Sequence, residues 1–164
     1  MQEFRLIIMR HGEAGNDAQR DFERQLTARG VKAVEEAAKR MHSLGWIPDI
    51  IISSDAQRTK QTSLVTEKIL CELTSKNIPI QYQNAFYLGR SKDVESFLLT
   101  RSKNHAESTI CLIGHNPTWS MLASIMADDL ISMSPANAVL LKINADSLSD
   151  ALHMQGLWQL VEIL

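Results

Sequence analysis

Apolar residues along the chain fall either into short continuous runs or into stretches with helical spacing, and the two kinds alternate. Phe4 to Met9 is a mostly apolar run closed by a polar turn, which predicts a short buried strand. From Thr27 to Leu44, Ala33, Val34, Ala37, Ala38 and Met41 recur on one stripe. That spacing predicts a helix with Thr27 as N-cap and Gly45 as C-cap. A strand at Asp49 to Ser53, a helix from about Ala56 to Ser75 and a strand at Ile78 to Tyr82 follow. Ser91 to Arg101 reads as helix and Thr109 to Ile113 as another buried strand. Pro117 to Ala127 reads as helix, with Asn116 as cap and Pro117 at the first helical position. Ala138 to Ile143 and Leu157 to Ile163 read as two closing strands at the sheet edge.

Strands alternating with helices predict an α/β domain of three layers, a mostly parallel central sheet with helices on both faces. The 164 residues suit a single domain spanning positions 1–164. Sheets of this kind bind ligands beyond the carboxyl ends of their strands. The residues to inspect are therefore Arg10-His11-Gly12, Ser54 to Arg58, and Gly114-His115-Asn116.

Composition narrows the function. The 17 basic and 19 acidic residues are interspersed and give a net charge of −2, so no basic face for nucleic acid is expected. Cys71 and Cys111 sit in apolar stretches without metal-ligand spacing, and read as two thiols in a reducing compartment. The apolar run Leu6 to Met9 is too short for a signal-peptide core, and no stretch reaches the length needed to span a bilayer. The expected setting is the cytoplasm, with no membrane association.

Three strand ends deliver Arg10 and His11, Arg58, and His115 to one crevice. Guanidinium presents a rigid fork that matches phosphate oxygens, and imidazole is either a nucleophile toward phosphorus or a donor to developing charge. Gly12 and Gly114 would let backbone amides approach an anion, and a helix starting near Asn116 would aim its positive end at the same space. The pattern points to phosphate chemistry.

The strings RHG at 10–12, S-x-x-x-R-x-x-Q-T from Ser54 to Thr62, and LIGHNP at 112–117 together resemble the histidine phosphatase superfamily. The stretch DFERQLTARG at 21–30 is similar to the D-x-x-R-P-L-T-x-x-G of its small phosphohistidine phosphatases of the SixA type. Gln25 replaces the usual proline there, and Asp55 replaces the proline that commonly follows the serine. The resemblance implies a phosphoglycerate mutase-like fold with His11 as the phosphorylated nucleophile. Arg10, Arg58 and His115 would bind phosphoryl oxygens, Gly12 and Arg24 would assist, and no metal or other cofactor would be needed.

The ester phosphatase and mutase branch usually reads RHGxSxxN and carries a glutamate shortly before a later glycine, as general acid. Here the first motif is RHGEAGND, with Ala14 and Asp17 at the diagnostic positions, and in NAFYLGRSKDVE no acid precedes Gly89. A P–N bond tolerates that loss best, because imidazole can depart as a neutral amine. The resemblance thus implies hydrolysis of phosphohistidine on a phosphotransfer protein in signal transduction, releasing inorganic phosphate. The alternatives are a small-metabolite phosphomonoesterase or mutase, using Glu13, Asp17 or Asp21 as a substitute acid, and a phosphate-recognition module without turnover. Arg20 could reach phosphate or an acidic partner, and Trp119 could either line the crevice or pack in the core. His42, His105 and His153 carry no motif and are given no role.

Overall fold

In chain order the elements are β1 (Gln2–Arg10), α1 (Ala28–Ser43), β2 (Ile50–Ser53), α2 (Gln57–Thr74), β3 (Ile80–Tyr82), α3 (Ala85–Leu88), α4 (Ser91–Ser102), β4 (Thr109–Gly114), α5 (Thr118–Ala127), β5 (Ala138–Ala145), α6 (Leu148–His153) and β6 (Gln159–Ile163). They come from a computed structural model that describes residues 1–164. The six strands form one sheet in the order β3-β2-β4-β1-β5-β6. The first four in that order run parallel, while β5 and β6 join antiparallel at one side. The α/β fold with a mostly parallel sheet is as the alternation predicts, and β6 forms one edge.

The central strands are apolar on both faces because each face meets helices. Leu6, Ile8, Ile52 and Leu112 pack with Leu98 of α4, Trp119 and Leu122 of α5, and Leu148 of α6. Ile7, Met9, Ile51 and Cys111 face the other way, toward Val34 and Met41 of α1 and Leu70 of α2. This is the period-two alternation of a strand covered twice.

Helix α2 departs from the usual apolar stripe. Its buried face is Arg58, Thr59, Thr62, Ser63, Thr66 and Leu70. The hydroxyls are satisfied inside the helix: Thr62 Oγ1 donates to Arg58 O at 2.7 Å, Ser63 Oγ to Thr59 O at 2.8 Å and Thr66 Oγ1 to Thr62 O at 2.8 Å. Back-bonding of this kind lets small polar residues be buried without orphaned groups.

Helix ends differ from expectation by a residue. Thr27 is the N-cap of α1 and accepts from Gly30 N at 2.9 Å, but Leu44 is its C-cap, with Gly45 just beyond at φ 72°. Glycine is favoured at that left-handed position, where a side chain would be strained. Helix α5 begins at Thr118 rather than Pro117. Asn116 still serves its first turn, since its Oδ1 accepts from Ser120 N at 3.2 Å and Ser120 Oγ at 2.8 Å. A 3-10 turn at Asp21–Glu23 and the short helices α3 and α6 were not predicted, being too brief to show a period. Cys71 and Cys111 are both free, and no helix is long and apolar enough to cross a membrane.

Candidate active site

Strand register places the site. Arg10 of β1 lies beside Gly114 of β4, and Ser53 of β2 beside Ile113, so His11, Ser54 and His115 leave the sheet at one level. The ladder continues one step further: His11 N donates to Gly114 O at 3.1 Å, and His11 O accepts from Ala136 N at 2.9 Å. The His11 backbone is thereby held from both sides.

His11 and His115 are each only 7% exposed, with ring centroids 5.4 Å apart. His11 Nδ1 lies 2.7 Å from Gly12 O, which can only accept, so Nδ1 carries the proton and Nε2 the lone pair. Arg58 Nε donates to that Nε2 at 3.3 Å. His115 Nε2 is 2.8 Å from Ser54 Oγ, while its buried Nδ1 has no partner within the protein. Arg10 anchors one terminal nitrogen on Met133 O at 2.9 Å and keeps a buried, unpartnered Nε. Two buried polar atoms without a protein partner, on residues flanking an imidazole whose lone pair is held by an arginine, are a set of groups suited to an anion.

Burial pulls the pKa of His11 down to about 4, helped by Arg58, Arg10 and Arg24 and opposed by the bond to Gly12 O. Burial likewise pulls His115 down to about 3, with Arg58, His11 and Arg10 adding and Asp21 opposing. Both imidazoles are neutral near pH 7. The unfolded chain takes up these protons below about pH 6.5, whereas the folded one resists to about 4 and 3, so acid favours unfolding. Stability in phosphate-free buffer should be fully present well above pH 6.5 and decline steadily as the pH falls through 6.5 toward about 4 and 3. Denaturant titrations across that window check this, and a His115→Asn variant should show a shallower decline.

Arg58, 6% exposed, is held by the loop between β1 and α1. One terminal nitrogen donates to Asp21 O at 2.7 Å and the other to Asp21 Oδ2 at 3.0 Å. Asp21 also accepts from Tyr87 Oη at 2.6 Å and from Arg24 at 3.1 Å. The Tyr87 bond, then Arg24 and Arg58, hold the carboxyl of Asp21 well below the usual carboxylate range. Tyr87 also sets its ring edge-on to His115 at 5.5 Å.

Other expected ligands have different partners. Gly12 N donates to Thr62 Oγ1 at 3.1 Å, so this amide is engaged by the protein and is not free for an anion. A Cβ at Gly12 would stand 2.9 Å from Gly30 O, and one at Gly114 would stand 2.3 Å from the Trp119 ring. Both glycines thus make room for neighbouring protein. Trp119 is fully buried, bonds Leu112 O at 3.0 Å through Nε1, and belongs to the core rather than to the crevice wall. Arg24 donates to Gly15 O at 2.9 Å and to Ala14 O at 3.4 Å besides Asp21, clamping its own loop. Arg20 is exposed and pairs with Glu23 at 3.1 Å, Glu13 pairs with Arg29 at 2.7 Å, and Asp17 is exposed.

Ser54 and Thr62 lie inside a motif that pointed only to Arg58, so their bonds to His115 and Gly12 were not foreseen. Nothing in the sequence marked Tyr87.

The family model for the histidine phosphatase superfamily (branch 1) matches residues 6–78, which include Arg10, His11 and Arg58. A chloroplastic protein of Arabidopsis thaliana is 31% identical over 157 residues, covering 93% of this chain and 72% of that one. Among solved structures, a protein of Nakamurella multipartitia named for the phosphohistidine phosphatase SixA shares the fold at a TM-score of 0.83, with 22% identity over all of this chain and 96% of its own. SixA of Agrobacterium tumefaciens follows at 0.78 and 25% identity, over 98% of this chain and 97% of its own. The same fold is seen in a protein of Escherichia coli K-12 named as an α-ribazole-5′-P phosphatase, at 0.67 and 16% identity over 96% and 94% of the two chains. With its motifs gathered at one end of this sheet, the chain belongs to the histidine phosphatase superfamily.

Proposed function

We propose that the protein is a phosphohistidine phosphatase acting on a phosphorylated histidine phosphotransfer protein in a cytoplasmic signalling setting. The observation that carries this reading is the lack of a proton donor beside a neutral nucleophile. Asp21, the carboxylate bonded to Arg58, is kept ionised by three donors, and Glu13 is turned to Arg29.

The lone pair on His11 Nε2 attacks the phosphorus of the substrate phosphohistidine. The P–N bond to the substrate imidazole breaks, and that ring leaves with the bonding pair, neutral because its other nitrogen carries a proton. Water then attacks phospho-His11, the new P–N bond breaks, and inorganic phosphate departs as the proton of water passes to phosphate or solvent. On this reading the phosphoryl oxygens would be received by the Nε–H of Arg58 and by the two buried groups without a protein partner, Arg10 Nε–H and His115 Nδ1. If Ser54 Oγ–H donates to His115 Nε2, then Nδ1 bears the hydrogen and donates as a neutral group. Both imidazoles are only 7% exposed, so a phosphoryl group would have to reach them on a projecting carrier, as a phosphohistidine side chain is.

Incubating the protein with phosphorylated phosphotransfer domains and with small phosphate esters tests the reading. The domains should be dephosphorylated, and efficient turnover of sugar or nucleotide-like phosphates instead would replace it with a metabolite phosphatase. No three His, Cys, Asp or Glu side chains gather where they could hold a metal ion, and the proposed mechanism routes no step through one. Rates after exhaustive EDTA treatment should stay within about 2-fold of untreated enzyme; loss reversed by Mg²⁺ or Zn²⁺ would make a cation part of the reaction.

A further inference from the structure

We propose that Tyr87 and Asp21 form a positioning pair that decides which edge of the Arg58 guanidinium meets the transferring phosphoryl group. This rests on the function proposed above. Asp21 takes one N–H from each terminal nitrogen of Arg58, through its backbone carbonyl at 2.7 Å and its Oδ2 at 3.0 Å. Those two bonds occupy the terminal fork. Of the five N–H groups, Nε–H remains on the His11 side, 3.3 Å from Nε2, together with one further N–H on each terminal nitrogen. A phosphoryl group on His11 Nε2 therefore meets the side of the guanidinium that Asp21 leaves open.

An exposed ion pair by itself orients little, and the Asp21 side chain is 53% exposed. What fixes it is the number of donors on one carboxylate. Tyr87 Oη donates at 2.6 Å to the same Oδ2 that holds Arg58, and Arg24 donates at 3.1 Å to Oδ1. Tyr87 is fixed in turn: its ring is edge-on to Phe22 at 4.9 Å and to His115 at 5.5 Å, and the Arg58 guanidinium carbon lies 6.0 Å from its centroid. Asn84 Nδ2 donates to Asp55 Oδ1 at 3.1 Å, tying the segment that carries Tyr87 to the turn before Arg58. Arg58 of α2 and Tyr87 of α3, distant in sequence, thus meet on one oxygen of Asp21. Tyr87 has already committed its proton to Asp21, which distinguishes positioning from proton donation.

Tyr87→Phe removes one hydroxyl and no charge, and keeps the ring. Its kcat on phosphohistidine and on a series of aryl phosphates should fall about 10-fold, with KM within about 2-fold and the same loss for every leaving group. In an Arg58→Ala background, followed with excess enzyme, the same change should alter the rate less than about 2-fold. Asp21→Asn should behave alike with a larger loss, about 30-fold in the wild-type background. An equal loss in both backgrounds would make Tyr87 merely structural, a loss that grows with leaving-group pKa would make it a proton donor, and no loss would dismiss it; each overturns the proposal. If the wild-type protein turned over none of these substrates, the proposed function would fail. The pair would then be read from orthovanadate affinity by calorimetry, which Tyr87→Phe should weaken about 10-fold in wild type and leave unchanged in Arg58→Ala.

Discussion

His11→Ala should lower turnover of phosphohistidine by about 10⁴-fold or more, on the scale seen when a covalent nucleophile is removed from a hydrolase. The loss should be chemical rather than structural. The ring makes only two hydrogen bonds, with Gly12 O and Arg58 Nε, and the backbone ladder on either side of it is independent of the side chain. Orthovanadate should still bind, because Arg10, Arg58 and His115 remain. A wild-type reaction quenched during turnover should carry acid-labile, alkali-stable phosphate on His11. Label at His115 would reverse the roles of the two imidazoles, and an active His11→Ala would dismiss covalent catalysis.

The second large effect concerns leaving groups. Alkyl phosphates such as sugar phosphates should react about 10² to 10⁴ times more slowly than phosphohistidine or activated aryl phosphates, the span a positioned general acid would contribute. The structure strengthens the expectation already raised by the segment before Gly89. Asp21, which is linked to His11 through Arg58, accepts three hydrogen bonds on its carboxylate and is held ionised. The Tyr87 hydroxyl is held above the usual phenol range by its bond to Asp21. Comparing kcat/KM across leaving groups measures this directly. A sugar phosphate as fast as an aryl phosphate, abolished by substituting Glu13 or Asp17, would reveal an acid and favour the metabolite reading.

The half of the site built on strands was legible in the sequence. Arg10, His11 and His115 follow buried apolar runs, and once the runs pair in parallel, register alone brings them together. Arg58 was legible through its spacing from Ser54. The half built outside the strands was legible only in part, since the motif at 21–30 marked Asp21 but not its partner Tyr87. Asp21 and Tyr87 lie 66 positions apart in segments without periodicity, and only tertiary packing sets a hydroxyl of one on a carboxylate of the other. Glycine was legible as a requirement but misread in purpose. At Gly12 and Gly114 the missing side chain admits α1 and the Trp119 ring, a need that depends on which helix packs where. Helix α2 shows the same limit, since its buried threonines look solvent-facing until their bonds to preceding carbonyls are seen.

The backbone of His11 is bonded on one side to Gly114 and on the other to Ala136, so a nucleophile at this position would be carried on main chain anchored from both sides. The incoming group must do the travelling, and must arrive along the single line on which Nε2 points. Such a frame is indifferent to what the phosphorus is leaving. On the proposed reading, selectivity would then reside in the segments around Asp21 and Tyr87, which lie outside the strands, so one anchored nucleophile could serve different chemistries through exchange of its surroundings.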